Sequence, residues 1–538
     1  MSAIESWDVL VVGTGMGGGT LGHALAKAGK KVLFCEKGRN PFGGDPGALL
    51  GRYAETFKDK PGVLTPSDRE VLKGSGRYPA ALHDVSGRKP RDFVPFIGSG
   101  SGGSSALYGA ALERFFPADF TPAANYPAGL GADLPDAWPV SFDEMRPFYQ
   151  QAEVLYRVRG GPDPLKGEAG PAYASPGAEL QPDNQELWDL FEGKGLHPYR
   201  LPLACEQIPG CSGCQGYLCP RNCKNDSAKI CLAEAVAEYG AVVWNDCEVL
   251  SLEAGQGRVH RARCLRDGIP VEVEADIFVL AAGALETPAI LLRSADERWP
   301  EGLANGSGLV GKYLMRHYVD IYAIFAKASA QGGGLKQVAF NDFYQSDEGK
   351  LGTVQSFGFL PPGDVIVDSL QDDLRNGPVP LAGDALSLMR PLMSGFLGQL
   401  FGRATMMATI MEDLPYRSNR VFLGERGELC IDYRIQPSEM ERIRHFRSML
   451  AKALRPKHHM LVKQAENNQR IAHACGTCRF GKDPATSVLD ENNRAHQLDN
   501  LYVVDSSFFP SSGGTNPALT IAANALRVAR HILRRHKE

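Results

Sequence analysis

Gly13-Thr14-Gly15-Met16-Gly17-Gly18 is the first run whose residue types and spacing serve chemistry. In a G-x-G-x-x-G turn, Gly13 permits the tight bend, Gly15 lets the backbone approach a pyrophosphate, and Gly18 lets a helix lie close to a strand. Glu36, where the next apolar run ends, is placed to accept hydrogen bonds from a ribose diol. A second glycine-rich run, Gly98 to Ser105, offers another loop of N–H groups to a ligand. By composition alone it also reads as a flexible linker. Asp505 ends an apolar run and Asn516 precedes the last helical pattern, so both fall at the carboxyl edge of a sheet, where α/β ligands bind. Six of the twelve cysteines lie between Cys205 and Cys231. Among them, Cys211, Cys214, Cys219 and Cys223 have the density of an iron–sulfur or zinc ligand run. A cysteine-rich loop or disulfide is the alternative, and the favoured one.

These groups need elements to hold them. Asp8 to Val12 reads as a strand buried on both faces, Leu21 to Ala28 as a helix, and Lys31 to Cys35 as a second buried strand, with Cys35 in the core. Strand, glycine turn, helix, strand and acid together make a dinucleotide-binding unit, without choosing between FAD and NAD. Ala275 to Gly283 is a further buried strand that rejoins this sheet long after Glu36, so the unit is discontinuous. Ala106 to Arg114 is compatible with a helix, and Ser141 with Glu144 forms a capping box at the start of another. From Tyr318 the pattern changes to alternation, as in Asp320 to Ala326 and Arg420 to Leu423, which predicts an antiparallel sheet. Between them, Leu360 to Leu400 is rich in Gly, Pro and Leu and is a candidate lid.

Composition narrows the class. The chain has 538 residues, 43% apolar and 22% charged, which excludes a disordered or collagen-like protein. A net charge of −4 provides no basic field for a nucleic-acid backbone. No apolar run reaches the roughly 18 residues of a membrane helix. The N-terminal residues lack the basic and apolar regions of a signal peptide, so a cytoplasmic enzyme is expected.

Four blocks then resemble one family from end to end: Gly13 to Glu36; Gly102-Gly103-Ser104-Ser105 through Arg114; Gly283 to Ser294; and His473 to Ile532. They resemble the glucose–methanol–choline (GMC) flavin oxidoreductases. The resemblance implies an α/β fold (α+β overall): a discontinuous Rossmann-like FAD-binding domain, residues 1–317 and 465–538, with an inserted antiparallel-sheet substrate domain, residues 318–464. It implies oxidation of an alcohol CH–OH to a carbonyl, with His473 as general base and Asn516 orienting the hydroxyl or stabilising a developing alkoxide. FAD contacts would fall on Gly13, Gly15, Gly18, Glu36, Gly102, Gly103, Ser104, Ser105, Tyr108, Val249, Ala282, Asp505 and Pro517. Many relatives have Asn where this chain has Tyr108, and no histidine stands in this block to link FAD covalently, so non-covalent FAD is expected. Cys475-Gly476-Thr477-Cys478 belongs to the C-terminal block and is not expected to be a redox disulfide.

The expected substrate is a small-molecule alcohol, a sugar or cyclitol or an aryl or allylic alcohol. The electron acceptor, whether oxygen, a quinone or a redox protein, is dictated by no single residue. Two rivals stand beside this reading. One is a flavin-containing lyase on the same fold. The other is a dehydrogenase relaying electrons through an iron–sulfur cluster on the cysteine loop, like some GMC-type sugar dehydrogenases.

Overall fold

The computed structural model describes residues 6–42, 47–57, 64–171, 173–325, 327, 334–346, 349–359, 362–375, 386 and 389–536. β1 (Trp7–Val12) is flanked in parallel by β2 (Val32–Cys35) and by the second half of the long strand Ile269–Leu280. Val242–Trp244 lies parallel outside β2, and Leu501–Val503 pairs in parallel with Phe278 to Leu280. These short apolar strands suit a sheet covered on both faces. One face carries α1 (Met16–Lys27) and the C-terminal helix Ala518–Arg535, which pack on each other. The first half of the long strand leaves the parallel core and joins an antiparallel meander with Arg258–Arg266 and Cys247–Gly255. Front, middle and back of the chain thus meet in one sheet, as the discontinuous reading required.

The second sheet is antiparallel and has six strands, ordered His458–Val462, Tyr318–Phe325, Thr405–Met411, Gly352–Ser356, Val338–Phe340 and Tyr199–Arg200. Its central strand Thr405–Met411 is buried throughout, so it is apolar at nearly every position rather than alternating. The expectation that Arg420 to Leu423 joins this sheet is corrected. Both edges of Thr405–Met411 are already paired, and Arg420–Leu423 turns through Gly427 (φ +78°) onto Leu429–Asp432. That hairpin forms a separate four-stranded sheet with Leu82–Asp84 and Arg91–Phe93.

The expected helix over Ala106 to Arg114 is also absent. A single 3₁₀ turn, Gly103–Ala106, is followed by Ala110 at φ +60° and a bridge from Ala111 to Leu203. Glu113 and Arg114 prevail over local propensity there. Buried in the interior, Glu113 accepts from Tyr199 and Thr515, and Arg114 makes a two-pronged pair with Glu153. The capping box does form, opening the helix Phe142–Leu155. The candidate lid lies partly outside the described residues. Within them it folds as two helices, Gly363–Arg375 and Arg390–Phe401, packed on each other. No described helix is long and apolar enough to cross a membrane.

Candidate active site

Between the two large sheets runs one continuous cavity of about 1420 Å³. Its first end is built by the glycine turn. Gly13 sits at φ +95°, where a Cβ would lie 2.5 Å from the Ala281 carbonyl oxygen. A Cβ on Gly18 would lie 2.1 Å from the Gly13 carbonyl oxygen, so helix and strand approach as the motif demands. Above Gly15 a Cβ would meet nothing within 4 Å, and no side chain caps α1 there. An uncapped helix start beside open space offers N–H groups and a positive dipole end to an anion.

Glu36 does more than end a strand. Its carboxylate accepts from the Thr14 N–H (3.0 Å) and hydroxyl (2.6 Å), and from the N–H groups of Gly38 and Gly100 (both 3.0 Å). It therefore latches the first glycine turn to the second glycine run, which settles that run as an ordered loop and not a linker. Burial pushes the Glu36 carboxyl up, and these donors pull it back. Within the loop, Ser104 accepts from the Gly98 N–H, while Ser105 donates to Gly102 and accepts from Ser227. Gly102 and Gly103 stand at φ +90° and +53°. Tyr108 also lines the cavity, but its hydroxyl donates to the Asn225 carbonyl and so ties the loop to the end of the cysteine segment. Val249, Ala282 and Pro517 line the same cavity. Asp505 is a second latch, accepting from the Gly283 N–H, the Thr287 hydroxyl, and both donors of Ser507.

At the other end the structure brings His473 and Asn516 to one cavity. His473 stands at φ +57°, a strained conformation for a non-glycine residue. Its neighbours enforce it: Cys475 bridges Met315, the His317 N–H donates to Ala472, and the Ser506 hydroxyl donates to Ala474. Asn516 is buried, and its Oδ1 has no hydrogen-bond partner among the described residues.

A residue that sequence reading missed completes this end. His317 Nδ1 lies 2.8 Å from His473 Nδ1, while His317 Nε2 faces the carbonyl oxygens of Gly513 (2.8 Å) and Ser512 (3.2 Å). Two carbonyls accept only, so His317 Nε2 carries the proton and its Nδ1 accepts. His473 Nδ1 must then be the donor, which leaves His473 Nε2 with a free lone pair. Burial pushes His317 down to about 4 and holds His473 well below the usual imidazole range. Both rings are neutral near pH 7, and the tautomer of His473 is that of a base. The only signal in the sequence was a polar residue immediately before the strand starting at Tyr318.

Lys336, Gln355 and Gln371 also line this end and were not foreseen. The Oε1 atoms of both glutamines are buried without a partner among the described residues.

All twelve cysteines are described, and all are free thiols, so of the favoured reading, a cysteine-rich loop or disulfide, the disulfide is not what the structure holds. Instead, the Sγ atoms of Cys205 and Cys211 lie 3.8 Å apart, Cys211 and Cys223 3.5 Å, and Cys219 and Cys223 3.4 Å. Cys214 stands beside Cys219, and the group packs on Tyr108, Ala110 and Ala111. Cys231 is separate, beside the Tyr156 hydroxyl. Cys35 is core, and Cys475 and Cys478 are buried thiols raised by burial.

Comparisons with known proteins agree with this architecture. Models of the GMC oxidoreductase family match residues 139–319 and 417–525. The 6'''-hydroxyparomomycin C oxidase of Streptomyces lividus is 30% identical over 99% of this chain and 92% of its own length. The 2-methyl-1,2-propanediol dehydrogenase of Mycolicibacterium austroafricanum is 26% identical over 100% of this chain and 97% of its own. Among solved structures, pyridoxine 4-oxidase from Mesorbium loti superposes with a TM-score of 0.63 at 20% identity, covering 98% of this chain and all of that one. Matched in both halves and along nearly its whole length, the chain belongs to the GMC oxidoreductase family, FAD flavoproteins that oxidise alcohol CH–OH groups.

Proposed function

We propose that His473 and Asn516 carry the alcohol oxidation, on a polyhydroxylated substrate such as a sugar or cyclitol, with FAD bound non-covalently. FAD supplies the acceptor for the hydride of the substrate C–H bond. The chain fits that group: open space above Gly15 beside the uncapped start of α1 suits a pyrophosphate, and Asn516 Oδ1 and the N-terminus of Ala518–Arg535 remain for the ligands at the far end. Gly13, Gly15, Gly18, the Gly102 to Ser105 loop, Tyr108, Val249, Ala282 and Pro517 would hold it, with Glu36 and Asp505 keeping those loops in place. The sheets support a dinucleotide part and a substrate part divided near Tyr318 and Gln464, with Tyr199–Arg200 lent to the latter.

The observation that carries the reading is the Nδ1–Nδ1 contact between His317 and His473. His317 fixes the His473 proton on Nδ1, and His473 Nε2 takes the hydroxyl proton of the substrate. Asn516 orients that hydroxyl through its amide. His317 is a positioning residue, since it acts through His473. The unpartnered oxygens of Gln355 and Gln371 favour a substrate with several hydroxyl donors over an aryl or allylic alcohol. The test is anaerobic mixing with a panel of sugars, cyclitols and aryl alcohols, followed by flavin absorbance. Bleaching by polyols supports the reading; a lyase shows no bleaching with any substrate.

A second reading concerns the acceptor. The S···S spacings of 3.4–3.8 Å along Cys205, Cys211, Cys223 and Cys219 favour a metal or iron–sulfur group on that loop, which would pass electrons from the flavin domain to a partner. Iron, zinc and acid-labile sulfide analysis of the purified protein decides it.

A further inference from the structure

Lys336 is 6% exposed, yet it lines the cavity with the catalytic pair. Its backbone is firmly held: Gln181 accepts from the N–H groups of Gly334 and Leu335, and the neighbouring Gln337 side chain is fastened to Gln181 and Glu179. Its Nζ lies over Gly109, where a Cβ would come within 2.5 Å of it, beside the unpartnered Oε1 of Gln215. No hydrogen bond or ion pair engages this ammonium among the described residues. Burial, helped by the charge of Lys224, another cation, pushes Lys336 down to about 8. Its own field reaches His473.

The surrounding wall offers it no counter-charge. Of the described residues between 318 and 472 that line the cavity, none is an acid; the other cation, Arg390, has a partner of its own. The acids of the cavity, such as Glu36, Glu286 and Asp505, belong to the dinucleotide end and are engaged there. A buried cation without a counter-charge is costly unless a ligand brings one. The phosphates of a dinucleotide are claimed by the uncapped start of α1 at Gly15. The missing charge is therefore left to the substrate.

We propose that Lys336 is an anion-recognition residue, and that the substrate is a polyhydroxylated hydroxy acid whose carboxylate pairs with the ammonium while a carbinol hydroxyl faces His473. This rests on the alcohol-oxidation reading of the site. A single ammonium matches a monoanionic carboxylate better than a doubly charged phosphate ester. The same cation repels a polyamino sugar.

Gluconate, glucitol, glucose 6-phosphate and paromamine, each mixed anaerobically with the flavin-loaded enzyme, test the proposal. Gluconate should bleach the flavin with the highest kcat/KM and paromamine with the lowest. In Lys336→Met, gluconate should lose on the order of 100-fold while glucitol changes little, and Lys336→Arg should restore part of the loss. Equal losses for gluconate and glucitol overturn the proposal, as does a lowered flavin midpoint potential with acid preference intact, which assigns the ammonium to the flavin. A phosphate preference overturns the carboxylate assignment. If no alcohol bleaches the flavin, the alcohol reading fails instead. Calorimetry of gluconate binding to wild type and Lys336→Met then decides: weaker binding in the variant supports the anion site, and equal or absent binding overturns it.

Discussion

At the dinucleotide end of the cavity, Glu36 accepts four hydrogen bonds and Asp505 four more. At the substrate end, the amide oxygens of Gln355, Gln371 and Asn516 accept none among the described residues, and Lys336 faces no acid. Both ends are buried, so the difference is not one of solvent. The first end uses its polar groups as latches that hold glycine loops in place before any ligand arrives. The second leaves polar groups unmet, at a cost to stability that a bound ligand removes. Recognition of a conserved chemical scaffold and recognition of a particular substrate have thus been built by opposite means.

This contrast gives variants at the two ends different signatures. The largest effect is expected from His473→Asn. Asn tolerates the left-handed backbone, so folding and flavin content should be kept while anaerobic flavin reduction slows by roughly 10²–10⁴-fold. Flavin reduction at the wild-type rate would remove His473 from the mechanism. Next, Glu36→Gln replaces an all-acceptor carboxylate by an amide whose NH₂ confronts N–H donors. Thermal unfolding and flavin release should show a loss of about 1–3 kcal/mol in stability with weakened flavin retention. Intact retention and melting temperature would mean that the latch does no holding.

A smaller effect is expected from His317→Phe, about tenfold on flavin reduction. Its telling readout is the pH profile. Besides burial, a proton on either ring opposes one on the other across the Nδ1–Nδ1 contact, so removal of His317 should move the acid limb upward, toward the ordinary imidazole range. A lower rate with an unchanged profile would make His317 merely structural. Smallest is Gln355→Leu, which removes an unmet buried oxygen. The melting temperature should rise by an amount equivalent to about 1 kcal/mol while the KM for a polyol increases. A fall in both would place Gln355 among the latches.

How much of this was legible in the sequence follows the same divide. Gly13, Gly15, Gly18 and Glu36 lie within one short stretch, and each has a local backbone job, so spacing alone exposes them. The pattern around Asn516 placed it at the carboxyl edge of a sheet, but its role, and His473 altogether, were reached only through the family resemblance, because a lone His or Asn carries no chemical pattern. His317 lies just before the strand Tyr318–Phe325, Lys336 just before Val338–Phe340 and Gln355 within Gly352–Ser356, so they meet only after the six-stranded sheet forms. No window of sequence contains that meeting. The failed helix at Ala106 to Arg114 has the same origin: Glu113 and Arg114 take partners at Tyr199, Thr515 and Glu153, far along the chain.

The central claim is that His473 is a neutral base, with His317 fixing its tautomer. The direct measurement is the rate of anaerobic flavin bleaching by a neutral polyol as a function of pH. Burial lowers both imidazoles, His317 to about 4, so His473 stays unprotonated as pH falls through the usual range near 6.5. The expected result is a rate that is level from pH 8 down to 6.5 and declines only below that. A rate that falls with an apparent pKa of about 6.5 or higher would contradict the account.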